Sequence, residues 1–343
     1  MPPAGVTFVL CCHNSATRLP GTLAHLAAQV VRRPIPWEVV VVDNASTDET
    51  ASVARDSWPH TAPTALRVVS EPQLGLSHAR TCGFAQAIYE IVSFIDDDNW
   101  IYPDWCQTAW ETMQVHPHAG ACGGFSQAEY QEPPPWWFRK YLAKYAIGPE
   151  DRKPGDATQN PGALWGAGLT IRRSAWEGLH QLGFTPSVVD RQGAVLTSGG
   201  DLELCYALRL AGWQLWYEPR LKMRHFIPSS RLDWNYLRQS HRGWGIATVG
   251  LDPYSALLPG NPLAPRGLFK QNWQWQVAVV MRALVPHWRK LPLAWSGPRI
   301  ADEEILSIEI RIGRLFELLR LRGAYNRSFA NICQAPWRQS RQP

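Results

Sequence analysis

The chain has 343 residues, of which 45% are hydrophobic and 18% charged, and a formal net charge of +5. This composition excludes a disordered polypeptide and fits one large α/β domain, with or without an appendage. The modest positive charge permits an anionic ligand such as a nucleotide diphosphate, or an acidic membrane surface, without demanding nucleic acid. The seven cysteines have no Cys-x-x-Cys spacing and sit mostly in apolar runs, so buried thiols are expected rather than disulfides or a zinc site.

In chain order, residues 6–10 (VTFVL) open directly into a strand with no signal sequence before them. No apolar stretch reaches the ~18–20 residues of a membrane span; the best candidate, residues 277–285, is short and carries Arg282. The expectation is a soluble, cytoplasmic chain whose membrane contact is at most peripheral, on the inner face. Residues 17–30 have helical spacing through Leu19, Leu23, Leu26 and Val30. Residues 38–42 form a β-branched run ending at Asp43, and 46–55 read as a helix with a Ser46/Glu49 capping box. A third strand at 66–70, a helix at 77–89 and a fourth strand at 91–95 follow. The alternation predicts an α/β fold with a Rossmann-like, mainly parallel central sheet flanked by helices. Ligands of such sheets gather at the carboxyl ends of the strands. Cys12, His13 and Asn14, then Asp43 and Asn44, then Asp96, Asp97 and Asp98 all fall there.

From about residue 120 the pattern loosens. Residues 129–150 include three prolines followed by Trp136 and Trp137, too proline-rich for a regular element. Strands are expected at 169–171, 213–217 and 221–226, and a helix at 201–210. A proline-rich stretch at 253–265 precedes a helical C-terminal part, in which residues 305–322 carry an apolar stripe through Ile305, Ile308, Ile312, Leu315 and Leu319. The expected organisation is a domain over residues 1–250, its donor half about 1–120 and its acceptor half about 121–250, then a linker and helical extension over 251–343. Eighteen tryptophans suit either core packing or stacking on sugar faces.

Three adjacent carboxylates at a strand end repel one another, and their burial calls for a compensating cation. A hard divalent ion takes one or two carboxylates and completes its shell with phosphate oxygens and water, neutralising a departing diphosphate. Asp201 follows Gly199 and Gly200 at a helix start, where the dipole favours a charged carboxylate. It reads either as a general base for an acceptor hydroxyl or as a plain N-cap, with Glu203 as the fallback base. His225, at a strand end, reads as a ligand or as a satisfied polar residue.

Five segments, in order, resemble family 2 glycosyltransferases of the GT-A fold. They are VLCCHN (9–14), VVVDNASTD (40–48), GLSHAR (75–80), FIDDDN (94–99) with Pro103, and GGDLEL (199–204) followed by Gly212, Pro219 and His225. The resemblance implies inverting transfer of a single sugar from a nucleotide diphosphate sugar, with UDP as the usual carrier. The acceptor would be a glycan or a lipid-linked sugar in cell-surface or exopolysaccharide synthesis. By this resemblance Asp43 bonds the base beside Cys12 and His13, with Asn14 and Asn44 in the same donor-side turns. Arg80 lies by the base or diphosphate, Asp96 reaches the ribose and Asp97 orients the sugar. Asp98 and His225 hold a divalent cation, Mg²⁺ or Mn²⁺, and Asp201 is the catalytic base. Trp136, Trp137 and Glu203 are candidates for the acceptor side, while Arg231, Tyr236, Arg238 and Trp244 resemble the region that closes over donor phosphates.

The chain departs from the family pattern at Gly200, where an acid is usual, and at Cys11, Cys12 and His13, where Pro-Thr-Tyr is commoner. Thr81 and Cys82 likewise stand where Arg-Asn would continue. These departures leave the nucleobase open and keep a second reading in view, a non-catalytic nucleotide-sugar or glycan-binding member. A dinucleotide oxidoreductase is disfavoured because no Gly-x-Gly-x-x-Gly follows the first strand. The reading leaves room for peripheral membrane contact and for a homodimer.

Overall fold

The computed structural model describes residues 2–148, 150–188, 190, 196–259, 265–292 and 302–339. In its first part β1 (Val6–Cys12), β2 (Trp37–Asn44), β3 (Leu66–Glu71) and β4 (Ile91–Phe94) lie parallel in the spatial order β3-β2-β1-β4. The crossovers are α1 (Leu19–Ala27), α2 (Thr50–Asp56) and α3 (Leu76–Gln86). Val39 to Val42 are all fully buried, because helices cover both faces of a parallel sheet and a continuous apolar run is then required. Alternate residues feed two cores. Val9, Val40 and Val42 pack with Phe84 and Trp176 on one face, while Phe8, Leu10, Val39 and Val41 pack with Leu23 and Trp105 on the other.

Beyond β4 the sheet becomes mixed. After β5 (Asn99–Ile101) and α4 (Trp105–Val115) come β6 (Ala119–Tyr130), β7 (Gly155–Asp156), β8 (Thr170–Arg172), α5 (Arg173–Gln181), α6 (Gly200–Leu210) and β9 (Gln214–Ile227). Strand β8 joins β4 antiparallel, β6 follows β8, β9 runs parallel to β6, and β5 closes the edge antiparallel to β9. The short β7 also pairs with β9.

Several local expectations are corrected here. The two short strands expected at 213–217 and 221–226 are one strand, β9, whose register against β6 shifts between Gly123 and Phe125. At that irregularity a Cβ on Gly124 would lie 1.8 Å from the Leu221 carbonyl oxygen, so the chain can bend there only with glycine. Strand β6 itself, AGACGGFSQAEY, lacks the β-branched residues that signal a strand and is formed by its neighbours. The Ser46/Glu49 capping box does not form. Ser46 accepts from the Asn14 backbone N–H, and helix α2 starts only at Thr50, whose backbone N–H and hydroxyl both donate to Asp48. The proline-rich segment yields a 3₁₀ stretch, Phe138–Tyr145. All seven cysteines are free thiols, and burial pushes those of Cys106, Cys122 and Cys205 up to about 12.

Residue 250, the boundary expected from sequence, falls inside a continuous helix, α7 (Trp234–Leu257), which also runs through Pro253. Residues 260–264 of the proline-rich stretch lie outside the described residues. They are followed by α8 (Trp273–Leu284), α9 (Glu303–Leu321) and α10 (Gly323–Cys333). Ile305, Ile308 and Ile312 are buried as the stripe predicts, but Leu319 is 39% exposed and the neighbouring Leu318 is the buried leucine. Helices α7 and α9 cross at backbone contact: a Cβ on Gly245 would lie 2.0 Å from the Ile310 oxygen, and one on Gly313 would lie 2.0 Å from the Arg242 oxygen. Glu309 then takes Arg238 (2.8 Å) and Arg242 (2.6 Å) across the same crossing. No described helix is long and apolar enough to cross a membrane.

Because neither backbone can retreat at this crossing, Gly313→Ala is expected to destabilise the protein by about 2 kcal/mol, the range of an overpacked core site. Urea unfolding measures it, and an unchanged midpoint would contradict the close crossing.

Candidate active site

The carboxyl ends of β1 and β2 meet in register, Cys12 opposite Asp43. Both strands leave the sheet through left-handed turns at Asn14 (φ 49°) and Ala45 (φ 52°), a conformation that asparagine tolerates better than most residues. Asn14 Oδ1 accepts from the Thr47 N–H at 2.8 Å, locking one turn to the other. His13 Nδ1 lies 2.8 Å from the Asn44 carbonyl. Asn44 Nδ2 donates to the Glu71 and Gln73 carbonyls, and its Oδ1 accepts from the Gly75 N–H, so it fixes the loop that launches α3 and presents Arg80. Asp43 keeps a buried oxygen, Oδ1, with no hydrogen-bond partner among the described residues.

The acidic turn after β4 is closed by Asn99, whose N–H donates to the Asp96 carbonyl at 3.0 Å and whose Oδ1 accepts from the Asp96 N–H at 3.3 Å. Asn99 also stands opposite His225 in the β5–β9 ladder, and the Phe226 N–H donates to the Asp98 carbonyl. This register carries Asp98 to His225, with Oδ1 and Nε2 3.5 Å apart. His225 Nδ1 sits 2.8 Å from the Tyr145 carbonyl, which can only accept, so the hydrogen is on Nδ1 and Nε2 presents its lone pair. Between that lone pair and the nearly buried Asp98 carboxylate lies Arg231, whose Nη1 is 2.9 Å from Asp98 Oδ2 and 3.3 Å from His225 Nε2. Burial alone would lower the proton affinity of Arg231, but Asp98 outweighs it and the net shift is upward. The neighbouring Asp97 is held by Arg18 at 2.6 Å.

Across the cleft Arg80 bonds Asp190 at 3.2 Å. Asp201, in the first turn of α6, accepts from the Gly166 N–H (2.8 Å) and from the Leu202 N–H (3.0 Å). Its proton affinity is raised, first by burial and then by Asp190, against the lowering pull of Arg80. These groups line one cavity of about 450 Å³, within the range that accommodates a small-molecule ligand.

Residues 7–179 match the sequence profile of glycosyl transferase family 2, half of the chain. The chain belongs to this family. It is 22% identical over 246 residues to the glucosyl-dolichyl phosphate glucuronosyltransferase of Haloferax volcanii, covering 71% of this chain and 77% of that protein. An uncharacterized glycosyltransferase of Mycobacterium bovis is 39% identical over 93 residues, 27% of this chain and 36% of the relative. Among solved structures, a mannosyltransferase of Pyrobaculum calidifontis in complex with GDP-Man and Mn²⁺ superimposes with a TM-score of 0.53 at 19% identity, over 97% of this chain and 89% of that one. That likeness establishes the GT-A fold.

In this family 2 glycosyltransferase the cleft brings together Cys12, His13, Asn44, Arg80, Asp96, Asp97, Asp98, Asp201 and His225. It does not gather the acceptor candidates. Glu203 is fully buried, accepting from the Ser187 N–H and hydroxyl, the Val188 N–H and the Tyr254 hydroxyl, so it cannot act as a base toward the cleft. Trp137 is core, edge-on to Trp234 and beside Phe138, while Trp136 is 83% exposed and outside the cleft. Arg238 is tied to Glu309, whereas Arg231, Tyr236 and Trp244 do line the cavity. Asn14, which is exposed, and Asp43 do not line the cavity.

Sequence reading missed Arg18, Asp190, Lys144 and Trp165, all of which face the cavity. Only Arg18 lay near a recognised motif; the others come from segments without a periodic pattern.

Asp98 and His225 are the residues of this cleft that could hold a divalent cation. Among the described residues no three His, Cys, Asp or Glu side chains form a closed cage. Asp98 and the oriented lone pair of His225 would supply two ligands and leave the remainder to phosphate oxygens and water. Arg231 already occupies the electropositive position between them.

Removing Glu203 leaves its buried donors without an acceptor. Glu203→Ala is therefore expected to cost roughly 3 kcal/mol in chemical unfolding, and a loss under 1 kcal/mol would refute the buried network.

Proposed function

We propose that this glycosyltransferase is an inverting enzyme that moves a single sugar from a nucleotide diphosphate sugar, a UDP-sugar in the first instance, to a glycan or lipid-linked acceptor in cell-surface or exopolysaccharide biosynthesis. The observation that carries the reading is one cavity lined by two carboxylates in different surroundings. Asp98 is neutralised by Arg231, while Asp201 is buried with raised proton affinity. Environments that push two acids apart in this way separate their roles.

On the donor side, Asp43, beside the lining residues Cys12 and Asn44, would bond the base, and Arg18 and Arg231 suit the diphosphate. A bound Mg²⁺ or Mn²⁺ would take up charge on the leaving diphosphate. Asp98 and His225 would hold it, and Arg231 would turn from them to the phosphates. On the acceptor side, Asp201 takes the hydroxyl proton as that oxygen bonds to the anomeric carbon. The carbon–phosphate-oxygen bond breaks on the opposite face, which inverts the configuration. The two backbone N–H groups on Asp201 hold it in place without neutralising it. The Pyrobaculum structure, with GDP-Man and Mn²⁺, and the Haloferax relative, named for a dolichyl phosphate substrate, support a metal-assisted donor site and a lipid-linked acceptor.

Residues 1–120 would form the donor half, 121–250 the acceptor half, and the C-terminal helices would face the membrane on its cytoplasmic side. The outer surface of α8 and its flanks supports that last point. It exposes Leu268, Phe269, Met281, Val285 and Trp288, interspersed with exposed Lys270, Arg282 and Arg289, the composition of an interfacial helix on anionic lipid. Flotation with vesicles is expected to recover the protein on phosphatidylglycerol-containing but not on pure phosphatidylcholine vesicles. Equal recovery on both, or on neither, would end the membrane assignment.

A thermal-shift panel of nucleotide sugars with Mg²⁺ or Mn²⁺ identifies the donor, since a ligand that binds the folded state raises its stability. With the selected donor, Asp201→Asn is expected to lower kcat by at least about 10²-fold while the donor still binds. Asp98→Ala is expected to abolish the metal-dependent part of the shift. A panel in which no nucleotide shifts the protein would refute the enzyme reading.

The pH dependence has a definite sign. The base works ionised, and its proton affinity is raised, so activity falls as pH drops through the raised value. The acidic limb of kcat/KM should lie above the ordinary carboxylate value of about 4. A limb at or below it would exclude Asp201.

A further inference from the structure

Helix α6 opens on a residue with no side chain, Gly200, although its backbone is not left-handed and would accept one. The reason lies in the space beside it. A Cβ on Gly200 would stand 2.6 Å from Asp190 Oδ2 and 3.4 Å from Arg80 Nη1. The carboxylate of Asp190, 6% exposed, therefore fills the volume that a side chain at 200 would enter. Gly166 makes the matching space on the other side. A Cβ there would lie 3.0 Å from Arg80 Nη2 and 3.2 Å from Asp201 Oδ2. Two glycines thus admit a buried arginine between two carboxylates, with Asp190 bonded to Arg80 and Asp201 held by backbone N–H groups.

We propose that Asp190 supplies from a separate segment the acid missing at position 200, and that it acts as a positioning residue, holding Arg80 by Nη1 so that Asp201 stays available to the acceptor. The proposal rests on the reading of Asp201 as the base. A lone carboxylate next to a buried guanidinium would be drawn into an ion pair and lose basicity; a second carboxylate on the same guanidinium relieves that pull. The direction of the electrostatics agrees. Burial and then Asp190 raise the proton affinity of Asp201, and Arg80 lowers it. The other titratable groups acting with Asp201 are Cys205 and Tyr206. Burial drives the Cys205 thiol up to about 12 and raises Tyr206, so both are neutral at working pH. Asp96, which like Asp190 and Asp201 raises Arg80, is the remaining carboxylate around that guanidinium.

The test is a relocation of the acid. Asp190→Asn, Asp190→Gly, Gly200→Asp and the double variant Asp190→Gly with Gly200→Asp are compared with wild type, using the nucleotide sugar selected by the donor panel and UDP with MnCl₂ as a binding probe. Asp190→Asn, nearly isosteric, is expected to lose about 10- to 100-fold in kcat, the scale of a misplaced catalytic group. Its donor KM and UDP affinity should stay within about twofold, and the acidic limb of kcat/KM should move to lower pH. Gly200→Asp alone sets two carboxylates in one place and should be impaired. The double variant places its oxygen where that of Asp190 stood and should regain at least tenfold over Asp190→Gly. Wild-type kcat and an unmoved acidic limb in Asp190→Asn would overturn the proposal, as would a folded double variant no better than Asp190→Gly. Asp201→Asn, run alongside, separates the two levels. If it turns over normally the base reading falls and this proposal with it. If it is dead while Asp190→Asn behaves as wild type, only the proposal falls.

Discussion

The site depends on the pairing of closely spaced carboxylates with arginines that arrive from different parts of the chain. Asp97 is held by Arg18 at the start of α1, Asp190 by Arg80 on α3, and Asp98 by Arg231 after β9. Without these partners, several partly buried acids at one edge of a sheet would repel one another or take up protons. Such pairs contribute little net stability, since desolvation offsets most of the attraction. Their consequence is positional: each acid has one place and one orientation before any ligand arrives. The pairs join residues far apart in sequence, so the site exists only once the whole sheet has closed.

From that constraint follows a division of labour. The β5–β9 register brings Asp98 against the oriented lone pair of His225, with a guanidinium bridging the two. That half of the cleft balances a buried carboxylate against a guanidinium. The other half holds Asp201, anchored by two N–H groups and kept basic by burial and by Asp190. The two halves face the same cavity.

The C-terminal helices belong to the same body. Helices α7 and α9 meet at Gly245 and Gly313 and share the Arg238–Glu309–Arg242 cluster, while α7 also lends Tyr236 and Trp244 to the cavity and its Tyr254 hydroxyl to Glu203. The tryptophan load is largely structural. Trp37, Trp105, Trp137, Trp176, Trp234 and Trp337 are buried, and those that line the cavity, Trp165 and Trp244, sit where a flat apolar face is useful.

The sequence by itself determined the parallel half of the fold, because each strand there is a short apolar run ending in polar residues and a segment long enough for a crossover helix separates it from the next. It also placed Cys12, His13, Arg80 and the acids at 96–98 along one cavity, since they are tied to those same strand and helix ends. Only the tertiary structure decided the rest. Strand β6 has no strand-like composition and is made by its neighbours. Glu203 follows Asp201 by two residues, yet helical geometry turns it into the core. Trp136 and Trp137 parted company, one into solvent and one into a hydrophobic cluster. Asp190 could not be assigned from sequence at all: its partner is Arg80, and the glycine beside it, Gly200, reads in the chain as a missing acid but in space as the opening that lets another acid in.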